Sequence, residues 1–126
     1  VDSLYRVVSD KWYKKKFLPW WWQYREGFDF YAQGWTAESN DCDDYAYRFR
    51  QSLRDSNALR PLKVRSSVAV AVAIVRMRYA SMGIPAGGLH ACNLLRTEAG
   101  WFVVEPQNSQ MVPLSAYPNP FVRAEF

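Results

Sequence analysis

One stretch constrains this chain more than any other. The positions Cys42, Tyr45, Ala46, Phe49 and Leu53 recur at i, i+3, i+4, i+7 and i+11, the spacing of one helical face. A helix over about Cys42 to Leu53 follows. Asn40 or Asp41 stands where a cap oxygen is wanted, and Asp43 and Asp44 place negative charge at the end the helix dipole favours. Asp55-Ser56-Asn57 breaks the pattern. The Cys42 thiol therefore shares the buried stripe of its helix, at the end where that stripe emerges.

Extended elements are expected downstream. From Val68 to Val75 the chain alternates Val or Ile with Ala; β-branched alternation argues strand, the alanines and Ser66-Ser67 argue helix, and strand is preferred. Gly83-Ile84-Pro85-Ala86-Gly87-Gly88 reads as a turn. Leu89 to Thr97 and Trp101 to Glu105 read as two strands joined by a Glu98-Ala99-Gly100 hairpin loop. Counting back from that loop, Cys92 comes nearly opposite Glu105 or Pro106, and His90 lies within a diagonal step or two of Glu105. Val112 to Leu114 is a last strand, and the Pro118-to-Pro120 region a loose tail. Near the start, Leu4, Val7, Val8 and Trp12 suggest a short amphipathic helix over residues 3–15, ended by Pro19.

With 126 residues, 49% apolar and 22% charged, the chain reads as a single folded domain over 1–126. Aromatics reach 17% and crowd residues 1–35, where they form either a core of large side chains or the wall of a groove. The net charge is +4, but the one basic run, Lys14-Lys15-Lys16, reads as a solvated face, so nucleic acid is not an expected partner. No apolar run approaches the roughly 20 residues of a membrane-spanning helix. Two cysteines cannot build a disulfide framework, though a single Cys42–Cys92 bridge is an alternative to two free thiols.

The chemistry lies in a cysteine, the single histidine and a carboxylate, in that order along the chain: Cys42, His90 and Glu105. A thiol becomes a nucleophile as its thiolate, favoured by a helix N-terminus or an adjacent imidazolium; Cys42 has the first and His90 would supply the second. A carboxylate beyond the imidazole fixes its tautomer, the role expected of Glu105. First-turn N–H groups suit a developing oxyanion, and an upstream side-chain amide would complete such a hole, with Gln33 the candidate. Asp41, Asp43 and Asp44 oppose this. With an effective dielectric of about 20, each carboxylate about 5 Å away disfavours the thiolate by roughly 3 kcal/mol. They must point away, pair with Arg48 or Arg50, or hold a hard cation such as calcium or manganese. Cys92 reads as a core thiol; zinc held by Cys42, His90, Cys92 and an aspartate is the rival arrangement.

Asp41-Cys42-Asp43-Asp44-Tyr45-Ala46 at a helix start resembles the nucleophile motif of papain-like and transglutaminase-like cysteine peptidases. Leu89-His90-Ala91-Cys92-Asn93 is similar to their histidine motif. Trp101 to Gln107, with Glu105-Pro106-Gln107 at its end, resembles the strand end of one subgroup, which includes the peptidase domain of the Marasmius oreades agglutinin and small phage and bacterial proteins. The resemblance covers a catalytic core of about residues 40–112. It implies an α+β papain-like fold, with a nucleophile helix packed on a small antiparallel sheet. It further implies a Cys42-His90-Glu105 triad that hydrolyses a peptide or isopeptide amide in a peptide or protein substrate through a thioester. Asn93 and Gln107 are supporting groups of that site. The chemistry requires no cofactor, but the agglutinin-type relatives are calcium-activated, which implies a role for Asp43 and Asp44. Two other outcomes fit the same motifs: a catalytically silent binding module, lectin-associated or part of a phage particle, and a transferase that passes the thioester to an amine.

Overall fold

The computed structural model of the protein describes residues 5–24, 42–58 and 67–126. Along these residues run β1 (Tyr5–Arg6), helix α1 (10–24), helix α2 (Cys42–Ala58), β2 (Ser67–Val68), β3 (Val70–Arg76), β4 (Leu89–Thr97), β5 (Gly100–Glu105), β6 (Gln110–Pro113), a 3₁₀ turn (Leu114–Ala116) and β7 (Phe121–Glu125). The fold is α+β. Strands β6-β5-β4-β3-β7 form one sheet in that order, every neighbour antiparallel, and β1 and β2 make a separate parallel pair.

Helix α2 buries the stripe read from its spacing: Tyr45, Ala46, Phe49 and Leu53 are all buried. It runs a turn beyond the expected end, through Asp55-Ser56-Asn57 to Ala58. Gln51 Nε2 donates to Asp55 Oδ1 at 2.9 Å, an i,i+4 bond that holds Asp55 in helical register. The expected caps Asn40 and Asp41 lie outside the described residues.

The first helix departs from expectation. It starts at Asp10 rather than near residue 3, because Tyr5–Arg6 is a strand and Val8 bridges to Thr97. Ser9 caps it, its hydroxyl accepting from Trp12 N at 3.2 Å. It then passes through Pro19. Proline lacks an N–H and its ring crowds the carbonyl four residues back. Here Tyr13–Phe17 adopts wide π-type turns, with the Leu18 N–H reaching the Tyr13 carbonyl, which loosens the turn the ring must enter. As a result Tyr13, Phe17 and Trp21 fall on one face and are buried against Phe49, in a cluster with Leu53, Val70, Leu95 and Val104. These aromatics build core, whereas Trp20, Trp22 and Tyr24 are exposed.

The opposite sheet face is covered by a second cluster around Ala73, Val75, Met77, Cys92 and Val103. The β4–β5 hairpin has the expected place, with Thr97 paired to Gly100 across Glu98-Ala99. Gly100 has φ 122°, a backbone angle costly for a side-chain-bearing residue. The Pro118-to-Pro120 region is irregular, as expected, but the residues that follow it form the fifth strand of the sheet, β7, paired along β3. Its register shifts between Ile74, paired with Arg123, and Val75, paired with Phe121, so Val122 is an inserted residue, a β-bulge.

Candidate active site

Three elements bring Cys42, His90 and Glu105 together. Cys42 opens α2 and packs, half-buried, against the small cluster of Ala46, Val72 and Ala91, as does Ile74. His90 is the second residue of β4, and Glu105 ends β5. The β4–β5 register pairs Asn93 with Val104, so one step on Cys92 faces Glu105, and His90 is the diagonal neighbour on the same face, within side-chain reach. His90 Nε2 and Glu105 Oε1 are 2.5 Å apart.

Glu105 is fully buried, and its carboxylate is held from both sides. Oε2 accepts from the Gln107 backbone N–H at 3.2 Å, while its own carbonyl accepts from Ser109 N at 2.8 Å. Trp21 Nε1 donates to the next carbonyl, that of Pro106, at 2.8 Å. A buried carboxylate so anchored orients the imidazole. Nε2 is committed to Glu105, so Nδ1 is the ring nitrogen left for Cys42, which lines the same cleft as His90. Burial alone would lower the His90 pKa, but the nearby Cys42 and the hydrogen bond and charge of Glu105 outweigh it, and the imidazole is pushed up to about 9. At neutral pH the ring is therefore an imidazolium between two acids.

The site opens into a cleft of about 390 Å³. Helix α2 contributes Cys42 and Asp43, β3 Ile74, β4 Leu89 to Ala91, and β7 Val122 and Arg123. A thiol, an oriented imidazolium and a partly apolar cleft can together carry nucleophilic acyl chemistry.

The other sequence-derived residues divide. Asn93 stands apart from the triad: its Nδ2 donates to the carbonyls of Ala46 at 2.9 Å and Ala71 at 3.1 Å, pinning α2 to the sheet. Gln107 serves through its backbone N–H. Gln33 lies outside the described residues. Cys92 and Cys42 are both free, which sets aside the disulfide alternative, and burial pushes the Cys92 thiol up, as befits a core sulfur. Asp43 is exposed and Asp44 half-buried on the first turn of α2. Among the described residues no three His, Cys, Asp or Glu gather to hold a metal. Two adjacent helical carboxylates diverge around the axis and fall far short of the six to eight oxygens calcium takes, so no chemical step is derived through a metal.

Trp21, Val122 and Arg123 belong to the site and were not read from the sequence. Trp21 is hard to single out among neighbouring tryptophans. For β7 the signal was slight: Pro118 to Pro120 ends a segment and the strand formers Phe121-Val122 follow, but Arg123-Ala124-Glu125 does not continue them.

No family model and no curated protein matches the chain. Solved structures do. Over 97% of this chain and 39% of the other, at 18% identity and a TM-score of 0.68, it is similar to Polyporus squamosus lectin bound to a human-type influenza-binding epitope. A second match is a "PSL1a-E64 complex", with a TM-score of 0.65 at the same identity and coverage. The chain thus spans about two fifths of the length of the solved structures it matches, and at this identity the likeness is one of fold.

Proposed function

We propose that this chain is a cysteine peptidase or amidase of the papain-like kind, cleaving a peptide or isopeptide amide through a thioester on Cys42. The observation that carries the proposal is Glu105 bonded to His90, with His90 and Cys42 side by side in the lining of one open cleft. The papain-like assignment is supported by a nucleophile in the first turn of a helix packed on an antiparallel sheet, with its base and orienter on successive strands. Further support comes from the E64 complex among the similar structures, since E-64 as a reagent is an epoxide that alkylates activated thiols.

In this reaction the Cys42 sulfur attacks the amide carbon, and the negative charge on oxygen develops by the first-turn N–H groups of α2. His90 gives its proton to the leaving amine as the C–N bond breaks. Water then attacks the thioester while His90 takes its proton, and the C–S bond breaks to release the acid and the Cys42 thiolate, with His90 protonated again. Glu105 holds the ring in place through both halves.

Alkylation by iodoacetamide near neutral pH, compared across wild type, Cys42→Ser and Cys92→Ser, tests the activation. The proposal expects fast labelling that disappears with Cys42→Ser; Cys42 reacting no faster than Cys92 refutes it. That negative result would favour a second reading, a silent lectin-associated module, to which the likeness to a lectin complex lends weight. Measuring free acid against amine incorporation separates hydrolase from transferase. The same labelling with chelator, then with calcium, tests the activating role proposed for Asp43 and Asp44; indifference to both removes calcium from the scheme.

A further inference from the structure

Strand alternation sends successive side chains to opposite faces, yet Val122 and Arg123, adjacent on β7, both line the cleft with Cys42 and His90. The cause is the bulge. Val122 is the residue inserted where the β7 register shifts against Ile74 and Val75, and a bulge re-aims side chains at the point where it interrupts the ladder. We infer that Arg123 is a specificity determinant of this site, selecting acyl substrates that carry a carboxylate beside the scissile bond, with Val122, Leu89 and Ile74 as the apolar surface beneath. The inference rests on the peptidase reading and names its substrate class.

The guanidinium is free to do this. Its side chain is 65% exposed, and its ion pair with Glu125 Oε1 is long, at 3.8 Å. Glu125 is better engaged elsewhere: its Oε2 accepts from Tyr47 OH at 2.9 Å. A guanidinium presents a planar fork of donors that matches a carboxylate. Asp43, which α2 contributes to the same cleft, is the competing charge and would draw a cationic substrate. It has a short arm, however, and sits at a helix N-terminus that already attracts its charge.

Charged and neutral alkylating agents report on this field without knowledge of the natural substrate. The quantity read is the rate of Cys42 labelling by anionic iodoacetate divided by that by neutral iodoacetamide. An exposed pair is worth up to about 1 kcal/mol, so Arg123→Gln is expected to lower the ratio about fivefold. Arg123→Glu lowers it further, Arg123→Lys retains most of it, and added salt shrinks the wild-type value. In a peptide library, wild-type cleavage sites are expected to be enriched in Asp and Glu near the scissile bond, with the bias inverted by Arg123→Glu. Equal ratios in all four proteins, with Cys42 still labelling faster than Cys92, would overturn the role of Arg123 and leave the peptidase reading standing. Slow labelling of Cys42 by both reagents would bring down the peptidase reading and the substrate class with it.

Discussion

Replacing Glu105 by Gln tests the electrostatics of the site directly. The substitution keeps the shape of the side chain and removes its charge at a fully buried position, 2.5 Å from His90 Nε2. In the folded protein His90 is pushed up to about 9 from an ordinary 6.5, a preference for the imidazolium worth about 3 kcal/mol. Burial pulls the other way and is the largest single influence. Without the carboxylate, burial faces only Cys42, and the His90 midpoint should fall by at least about one pH unit. The chain has one histidine, so NMR titration of the untagged protein reports His90 through a single imidazole resonance. Stability gives a second readout. Because the folded state binds this proton more tightly than the unfolded chain, the contribution of the pair is complete below about pH 6.5 and is lost as pH rises through about 9. Urea melts across that window should therefore decline in wild type, and decline less in Glu105→Gln. Identical titration midpoints in the two proteins would refute the coupling of His90 to Glu105.

Four other outcomes follow from the packing and the pH behaviour. Amide cleavage should lose its acid and fall above about pH 9 as His90 deprotonates, and a pH–rate profile that keeps rising through that range counts against His90 as proton donor. Trp21→Phe keeps an aromatic ring but gives up part of the buried indole and the 2.8 Å bond to the Pro106 carbonyl; urea denaturation should show a loss of at least about 1–3 kcal/mol, and an unchanged midpoint would mean the bond adds nothing. Asn93→Ala removes both donors that tie α2 to the sheet, for a comparable loss in a thermal melt, and Asn93→Asp should be worse because it buries a charge against two carbonyls. Tyr13 is fully buried, and its hydroxyl finds no hydrogen-bond partner among the described residues; Tyr13→Phe should accordingly be neutral or stabilising, and a clear destabilisation would reveal a partner elsewhere.

The features legible along the chain were local or set by pattern. The stripe from Cys42 to Leu53 specified a helix and its buried face, because helical spacing alone decides which side chains share a side. The alternation and the short loop at Glu98-Ala99 specified the β4–β5 hairpin, and with it the diagonal placing of His90 on Glu105, since a hairpin's register follows from its turn. The tertiary structure decided the rest. Pro19 could sit inside a helix because Tyr13, Phe17 and Trp21 gain burial against Phe49 when the preceding turns widen, an advantage invisible to a rule about proline alone. The strand Phe121–Glu125 exists because the edge of β3 offers unpaired backbone groups, some fifty residues away in sequence, and no local pattern encodes that pairing. The same long-range pairing produced the bulge at Val122 and brought Arg123 into the lining of the cleft that holds the thiol. Local periodicity could thus place the reacting groups, but the cleft wall that faces them arose only when a distant strand closed the sheet.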